Sequence, residues 1–423
     1  MKRIILCLIC AVAILSMAGF ASGQTGSASH PLVNYELELT NYYSATASDV
    51  VARLQQRIEQ GATTLKFDPT HGYLPSLLKE LNLPLSSQLL VFSKTSLQRY
   101  HISSHSPRAL FFNDRAYVAW IPGAPMLEML AVDPTLGAVL YTLEQTNVAK
   151  PRFTRDNRCL ECHVTARTLD IPGALVRSFH TSREGEVDLL SGAAIVSHRT
   201  PLSDRWGGWY VTGAYGSLEH RGNHFSVLTP GSAPVSEAPG GSVKDLRALF
   251  DVSRYPQPTS DVAALLVLEH QTHMENLLTR LNYEARASLR QWGRVTYLTN
   301  ITERVLNYLL FIDEAPISSP IHGGSEFTQW FEQQGPRDTR GRSLRQFDLQ
   351  KRVFKYPCSY LIYSETFEQL PREIKLHLYR RLYAVLTGEE AAPEFKPLTA
   401  DAKRAVFEIL SDTKRDLPAY WKL

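Results

Sequence analysis

The stretch that most constrains this chain is Cys159-Leu160-Glu161-Cys162-His163, set in FTRDNRCLECHVTAR. Positions i, i+3 and i+4 share one face of a helical turn, so one turn presents two thiols and an imidazole to the same neighbour. That combination is the attachment pattern of a c-type haem, in which both thiols add to vinyl groups and the adjacent imidazole stands under the iron. Two other chemistries use the same Cys-x-x-Cys spacing. A zinc site needs two more ligands, and the mature chain has no second cysteine pair to supply them. A thioredoxin-like dithiol needs a βαβ context, which the residues around 159 lack.

Residues 1–24 read as a secretory signal. Lys2 and Arg3 form a basic start, Ile4 to Phe20 is an apolar core, and the small residues Ala21-Ser22-Gly23 follow. An apolar run of about 17 residues is marginal for a membrane span, so cleavage is expected rather than anchoring. Cys7 and Cys10 lie inside that core and would leave with it. Export to the periplasm agrees with the haem motif, because covalent haem attachment takes place outside the bacterial cytoplasm. Of the five cysteines, three then remain, two on the motif and Cys358 in the aromatic run FKYPCSYLIY, where it reads as a small buried hydrophobe.

Charge excludes several classes. The chain carries 45 basic and 42 acidic residues for a net +3, which falls to about +1 without Lys2 and Arg3. There is no dense basic patch for nucleic acid. No second apolar stretch reaches spanning length.

The pattern predicts an α+β chain: a mixed α/β unit over 34–150, an irregular haem-bearing segment over 151–225, and a mainly helical region over 260–423. Val50, Val51, Leu54 and Ile58 fall on one face of a helix. A second short helix is expected at Leu74–Leu81. Strands are expected in SSQLLVFSKTSLQRYHI and RALFFNDRAYVAWIPG, with Asn113-Asp114 as a turn. Asp133-Pro134 and Gly137 mark a reversal within the next apolar run. Residues 226–260, with SAPVSEAPGGS and PQPTS, read as a linker. Beyond Ser260 a long helix sets Val262, Leu266, His270, His273 and Leu277 on one side.

The residues that would surround the iron follow from chemistry. His163 is the proximal ligand. The mature methionines are Met126, Met129 and Met274, none at the spacing of small cytochromes c, so a Met ligand is disfavoured. His163, His180, His198, His220 and His224 fall within 62 residues, where even spacing of the 13 histidines would place about two. His198 and His220 are the foremost distal candidates, ahead of His224 and His180. In Arg205-Trp206-Gly207-Gly208-Trp209, the paired glycines would let backbone approach a large flat ligand. Trp206 and Trp209 could pack on the porphyrin and Arg205 could pair with a propionate. His270 and His273 share a helical face with Glu269 beside them, but EHQTH lacks the spacing of zinc-protease motifs, and packing or a distant haem contact is expected there instead of a second metal.

The chain resembles uncharacterised exported bacterial proteins that carry a single cytochrome c-type haem-attachment motif. SSQLLVFSKTSLQ, PRALFFND, FTRDNRCLECH, RWGGWYVTG, LEHQTHMENLLTR, RGRSLRQFDL and KYPCSYLIYS carry the resemblance along nearly the whole mature chain. It implies export and haem attachment at Cys159, Cys162 and His163. Where those proteins tend to have His-Met-Gly-Asn, this chain has His220-Arg221-Gly222-Asn223, which removes a Met ligand at that point. The expected function is periplasmic electron transfer through one covalent haem c, with a redox partner protein. The alternative is a peroxidase-like haem oxidoreductase with an open distal site, or a haem sensor or subunit of a larger redox complex.

Overall fold

In a computed structural model, the described residues are 40–227, 235–237 and 242–421. The secretory-signal reading of 1–24 lies outside them. The fold is α+β. Helix α1 (Val50–Glu59) starts where Asp49 accepts the backbone N–H groups of Val51 and Ala52, and it buries Val51, Leu54 and Ile58. Helix α2 (Leu74–Glu80) follows, with Pro75 in its first turn. Six strands then form one antiparallel sheet in sequence order: β1 (Leu89–Val91), β2 (Arg108–Phe112), β3 (Ala116–Trp120), β4 (Met126–Asp133), β5 (Gly137–Glu144) and β6 (Thr154–Arg155). At the β4–β5 reversal, the Asp133 carboxylate accepts from Thr135 and Leu136 N–H, and Gly137 takes a φ of +73°.

The stretch after β1 does not continue as a strand over Ser93–Ile102. Its backbone leaves the ladder to bond two later loops, with Phe92 N–H donating to Gly208 and Lys94 N–H to Gly185. Long-range pairing overrides local propensity there.

Strand register sorts the sheet into two faces. Phe111, Val118, Met129 and Tyr141 stand in one cross-strand row. That row faces α1, because the Tyr141 hydroxyl donates to Asp49 at 2.6 Å. The rows Leu110–Ala119–Glu128 and Phe112–Tyr117–Leu130–Leu140 face the other way. Tyr117 on that face donates to Glu275 of the long helix α4 (Val262–Trp292) at 2.7 Å.

The haem-motif segment is more ordered than an irregular stretch. It holds α3 (Leu160–His163) and an antiparallel ribbon of β7 (Val176–Thr181) and β8 (Val187–Val196), while β9 (Phe225–Val227) and β10 (Val235–Glu237) form a further pair. Helix α4 (Val262–Trp292) is capped by Asp261 and has 24 of its 31 residues buried. The sequence suggested one apolar stripe. A helix buried nearly all round is instead a central strut, and its polar positions must find partners inside the protein. Helices α5 (Thr299–Leu309), α6 (Ser325–Gln333), α7 (Glu365–Glu368), α8 (Arg372–Thr387) and α9 (Ala400–Thr413) complete the C-terminal region. One apolar core runs through all three regions, from Tyr42 to Trp421. Among the described residues no helix is long and apolar enough to cross a membrane.

Candidate haem site

The Cys159–His163 turn lines a cavity of about 540 Å³ between the second sheet face, β7 and the middle of α4. That volume lies within the range of small-molecule and cofactor sites. The turn is set by local capping: Asp156 accepts the Arg158 N–H, and Arg158 returns an ion pair to it at 2.5 Å. Burial pushes the Cys159 thiol up to about 12, with Asp156 and Glu128 adding to the effect.

The imidazole of His163 has one fixed end. Its Nδ1 lies 2.8 Å from the Gly173 carbonyl oxygen, an acceptor only, so Nδ1 carries the proton and Nε2 is left with its lone pair. Burial lowers the pKa of this ring, which holds it neutral. A neutral imidazole with Nδ1–H donated to a carbonyl is the form that ligates a metal through Nε2. The carbonyl is itself held in place. Asn276 of α4 clamps the next residue, Ala174, accepting from its N–H at 3.0 Å and donating to its carbonyl at 2.6 Å. A Cβ at position 173 would lie 2.3 Å from the Asn276 Oδ1, so glycine is required for this approach.

Two arginines give the cavity an excess of positive charge. Arg108 has a buried Nε with no partner, and its nearest carboxylate, Glu128, stands 3.8 Å away. Both Glu128 oxygens are already engaged by the Ser96 hydroxyl, at 2.8 and 2.9 Å. Arg177 also lines the cavity and stands over the Phe179 ring at 5.2 Å. Burial lowers the pKa of both guanidinium groups, and for Arg177 the Arg108 charge adds to the shift. Partly buried cations with so little carboxylate beside them fit a ligand that brings carboxylates.

Of the residues singled out from sequence, Cys159, Cys162, His163 and Trp209 come together at this cavity. Trp209 donates its indole N–H to the Arg177 carbonyl at 2.8 Å. Arg205 and Trp206 do not line it. Arg205 forms a buried ion pair with Glu269 at 2.7 Å, and the Trp206 indole donates to the same carboxylate at 2.6 Å. The glycine pair explains the split. Trp206 and Gly208 both have positive φ, turning the chain between the two tryptophans, and a Cβ on Gly207 would lie 2.2 Å from the Phe179 carbonyl. The glycines thus allow close approach to β7 rather than to a ligand.

The distal candidates are also placed elsewhere. His198 lies in a buried aromatic stack, 3.8 Å from the Tyr308 ring centroid, with its Nδ1 2.9 Å from Nδ1 of His270. His270 in turn bonds Ser359 at 2.7 Å. His220 packs against Trp206 and Tyr215. None of His180, His198, His220 and His224 lines the cavity. Packing against other aromatic rings therefore accounts for His198 and His220. Met129 contributes to the wall, but its cross-strand row turns its side chain toward α1. Among the described residues no group of three or more His, Cys, Asp or Glu side chains could hold a metal ion. Sequence reasoning missed Arg108, Gly173, Arg177 and Asn276, since nothing local marks them.

Comparison with protein-family models, curated proteins and solved structures finds no match to this chain.

Proposed function

We propose that the chain holds one haem c, attached through Cys159 and Cys162 with His163 as proximal ligand, and works as an exported electron-transfer protein of the periplasm. The observation that carries this reading is the His163–Gly173 bond, which leaves Nε2 its lone pair on a residue that lines one cavity with Cys159 and Cys162. Arg108 and Arg177 would receive the propionates. Bound haem would supply a one-electron couple at iron. The protein's own residues hold the imidazole in one tautomer, set cations near the carboxylates, and line the chamber with apolar groups such as Leu110, Leu130 and Leu268.

Expression with a cytochrome c maturation system tests this reading. The expected product keeps haem through denaturing electrophoresis, and Cys159→Ala/Cys162→Ala abolishes that retention. Equal haem retention by the double variant would refute the attachment.

A second reading, a haem oxidoreductase or ligand-binding haem protein, is favoured by one feature of the cavity wall. Its described lining includes no second imidazole. Ferric and ferrous spectra separate the readings. A low-spin spectrum indifferent to cyanide and carbon monoxide supports the carrier, and a high-spin, ligand-binding iron supports the oxidoreductase.

A further inference from the structure

Helix α4 buries two glutamates side on to the rest of the protein, and their surroundings differ. Glu269 pairs with Arg205 at 2.7 Å and accepts from the Trp206 indole at 2.6 Å. Glu275 meets no cation among the described residues. Its Oε2 accepts from the Tyr117 hydroxyl at 2.7 Å, and its buried Oε1 has no partner. The charge acting on it from nearby is another acid, Asp114, which is ion-paired with Arg345. Burial raises the Glu275 carboxyl well above the ordinary glutamate value, against the hydrogen bond from Tyr117.

A train of donors points at this carboxyl. The Asn113 carbonyl accepts from the Gln271 amide at 2.8 Å, and the same amide nitrogen lies 2.7 Å from the Tyr117 hydroxyl. The Gln271 oxygen accepts from the Tyr360 hydroxyl at 2.7 Å. Because the Tyr117 oxygen receives the Gln271 N–H, its single proton turns to Glu275. Donors that converge on a carboxyl favour its ionised form, while burial opposes it, so one further charge nearby can decide between the two forms.

That further charge has a place. Tyr117 lines the haem cavity, as do Leu268 and Thr272 of α4. Glu275 follows Thr272 by three positions and Leu268 by seven, a spacing that keeps all three on one helical face. Glu275 therefore stands directly behind the cavity wall.

We propose that the chain couples its electron to a proton, with the Glu275 carboxylate as the group that takes the proton up. The proposal rests on the haem reading. A one-electron donor reduces the iron, an O–H bond forms at Glu275 with a proton drawn from solvent, and oxidation releases both again. A ferric centre carries one more positive charge than a ferrous one, so Glu275 ionises more readily in the oxidised protein. Within about 10 Å, at an effective dielectric of about 20, one unit of charge shifts such an equilibrium more than tenfold.

The test is a potentiometric titration of the haem-loaded protein from about pH 5 to about pH 9, after its spectrum has been recorded. The equilibrium constant for reduction should fall about tenfold or more as pH rises across this range. Glu275→Gln keeps an oxygen to accept from Tyr117 and should remove most of that fall. Reduced-minus-oxidised infrared spectra at neutral pH should show an un-ionised carboxyl band gained on reduction and absent from Glu275→Gln. Tyr117→Phe keeps the ring on the wall but removes a donor to the carboxyl, so it should move the band and shift the fall to higher pH. A reduction constant indifferent to pH would overturn the proposal. So would a pH dependence kept in full by Glu275→Gln, which would assign the proton to the haem propionates. If Glu275→Gln retains no haem, the parent and Tyr117→Phe decide, and a band unmoved by Tyr117→Phe counts against Glu275. A chain that matures without covalent haem overturns the haem reading and this one with it, and the initial spectrum separates that failure from an uncoupled electron.

Discussion

Asn276 links the central helix to the imidazole of His163 without touching it. The relay runs from Asn276 to Ala174, then through the Gly173 carbonyl to His163 Nδ1. Replacing Asn276 by Ala removes two hydrogen bonds and leaves buried backbone groups at Ala174 unpaired. The expected cost is about 1–3 kcal/mol, measured by urea denaturation. The same change should alter the haem spectrum of the loaded protein. A spectrum identical to the parent's would show that the relay does not position the ring. Arg108 is the complementary case. Its position in β2 reads as an ordinary exposed face of an alternating strand, and only the fold sets it in the cavity wall with a bare Nε.

At the scale of elements, the glycine pair decides which tryptophan reaches the cavity. Gly207 packs against the β7 backbone and donates its N–H to the Ser178 hydroxyl at 2.8 Å. Gly207→Ala should cost about 2–4 kcal/mol, because the obstructing Phe179 carbonyl is backbone and cannot rotate away. Thermal unfolding of the variant is the check, and a shift of less than a degree would mean that β7 yields freely. Much of the element plan was legible in sequence. The helix that carries Val51, Leu54 and Ile58, the β4–β5 reversal and the long helix all follow from local chemistry. The run over Ser93–Ile102 was not legible as a loop, because its partners, Gly185 and Gly208, lie about 100 residues away and no local pattern encodes them.

The whole molecule stores neutral histidines in its interior. Burial depresses His270 to about 3 and His273 and His220 to about 4, from an ordinary 6.5. When pH falls below about 6.5 the unfolded chain takes up protons that the folded chain refuses. The unfolded state then binds more protons, so stability rises with pH through this window and is lost as pH falls toward about 4. Urea midpoints measured from pH 7 to 4 should decline steadily, and the decline should shrink in His270→Gln. A flat profile would place these rings in contact with water. The same packing accounts for the misplaced distal candidates. His198 and His270 are drawn together by the fold of α4 against the C-terminal segment carrying Ser359, and composition alone cannot tell a buried pair from a ligand pair.

The sequence by itself determined the spacing that puts two thiols and an imidazole on one turn, the alternation that makes the sheet, and the periodicity that makes the long helix α4. Each depends on residues within a few positions of one another, where helix and strand geometry leave few choices. Only the tertiary structure decided what faces that turn. Arg108 lies 55 positions from His163, and Asn276 lies 113 positions from it. They meet because α4 passes through the centre of the molecule and must satisfy its polar side chains there. Tertiary packing also sent Trp209 into the cavity and Trp206 out of it. Three residues apart in sequence, they are separated by a turn whose glycines are required by the approach of β7.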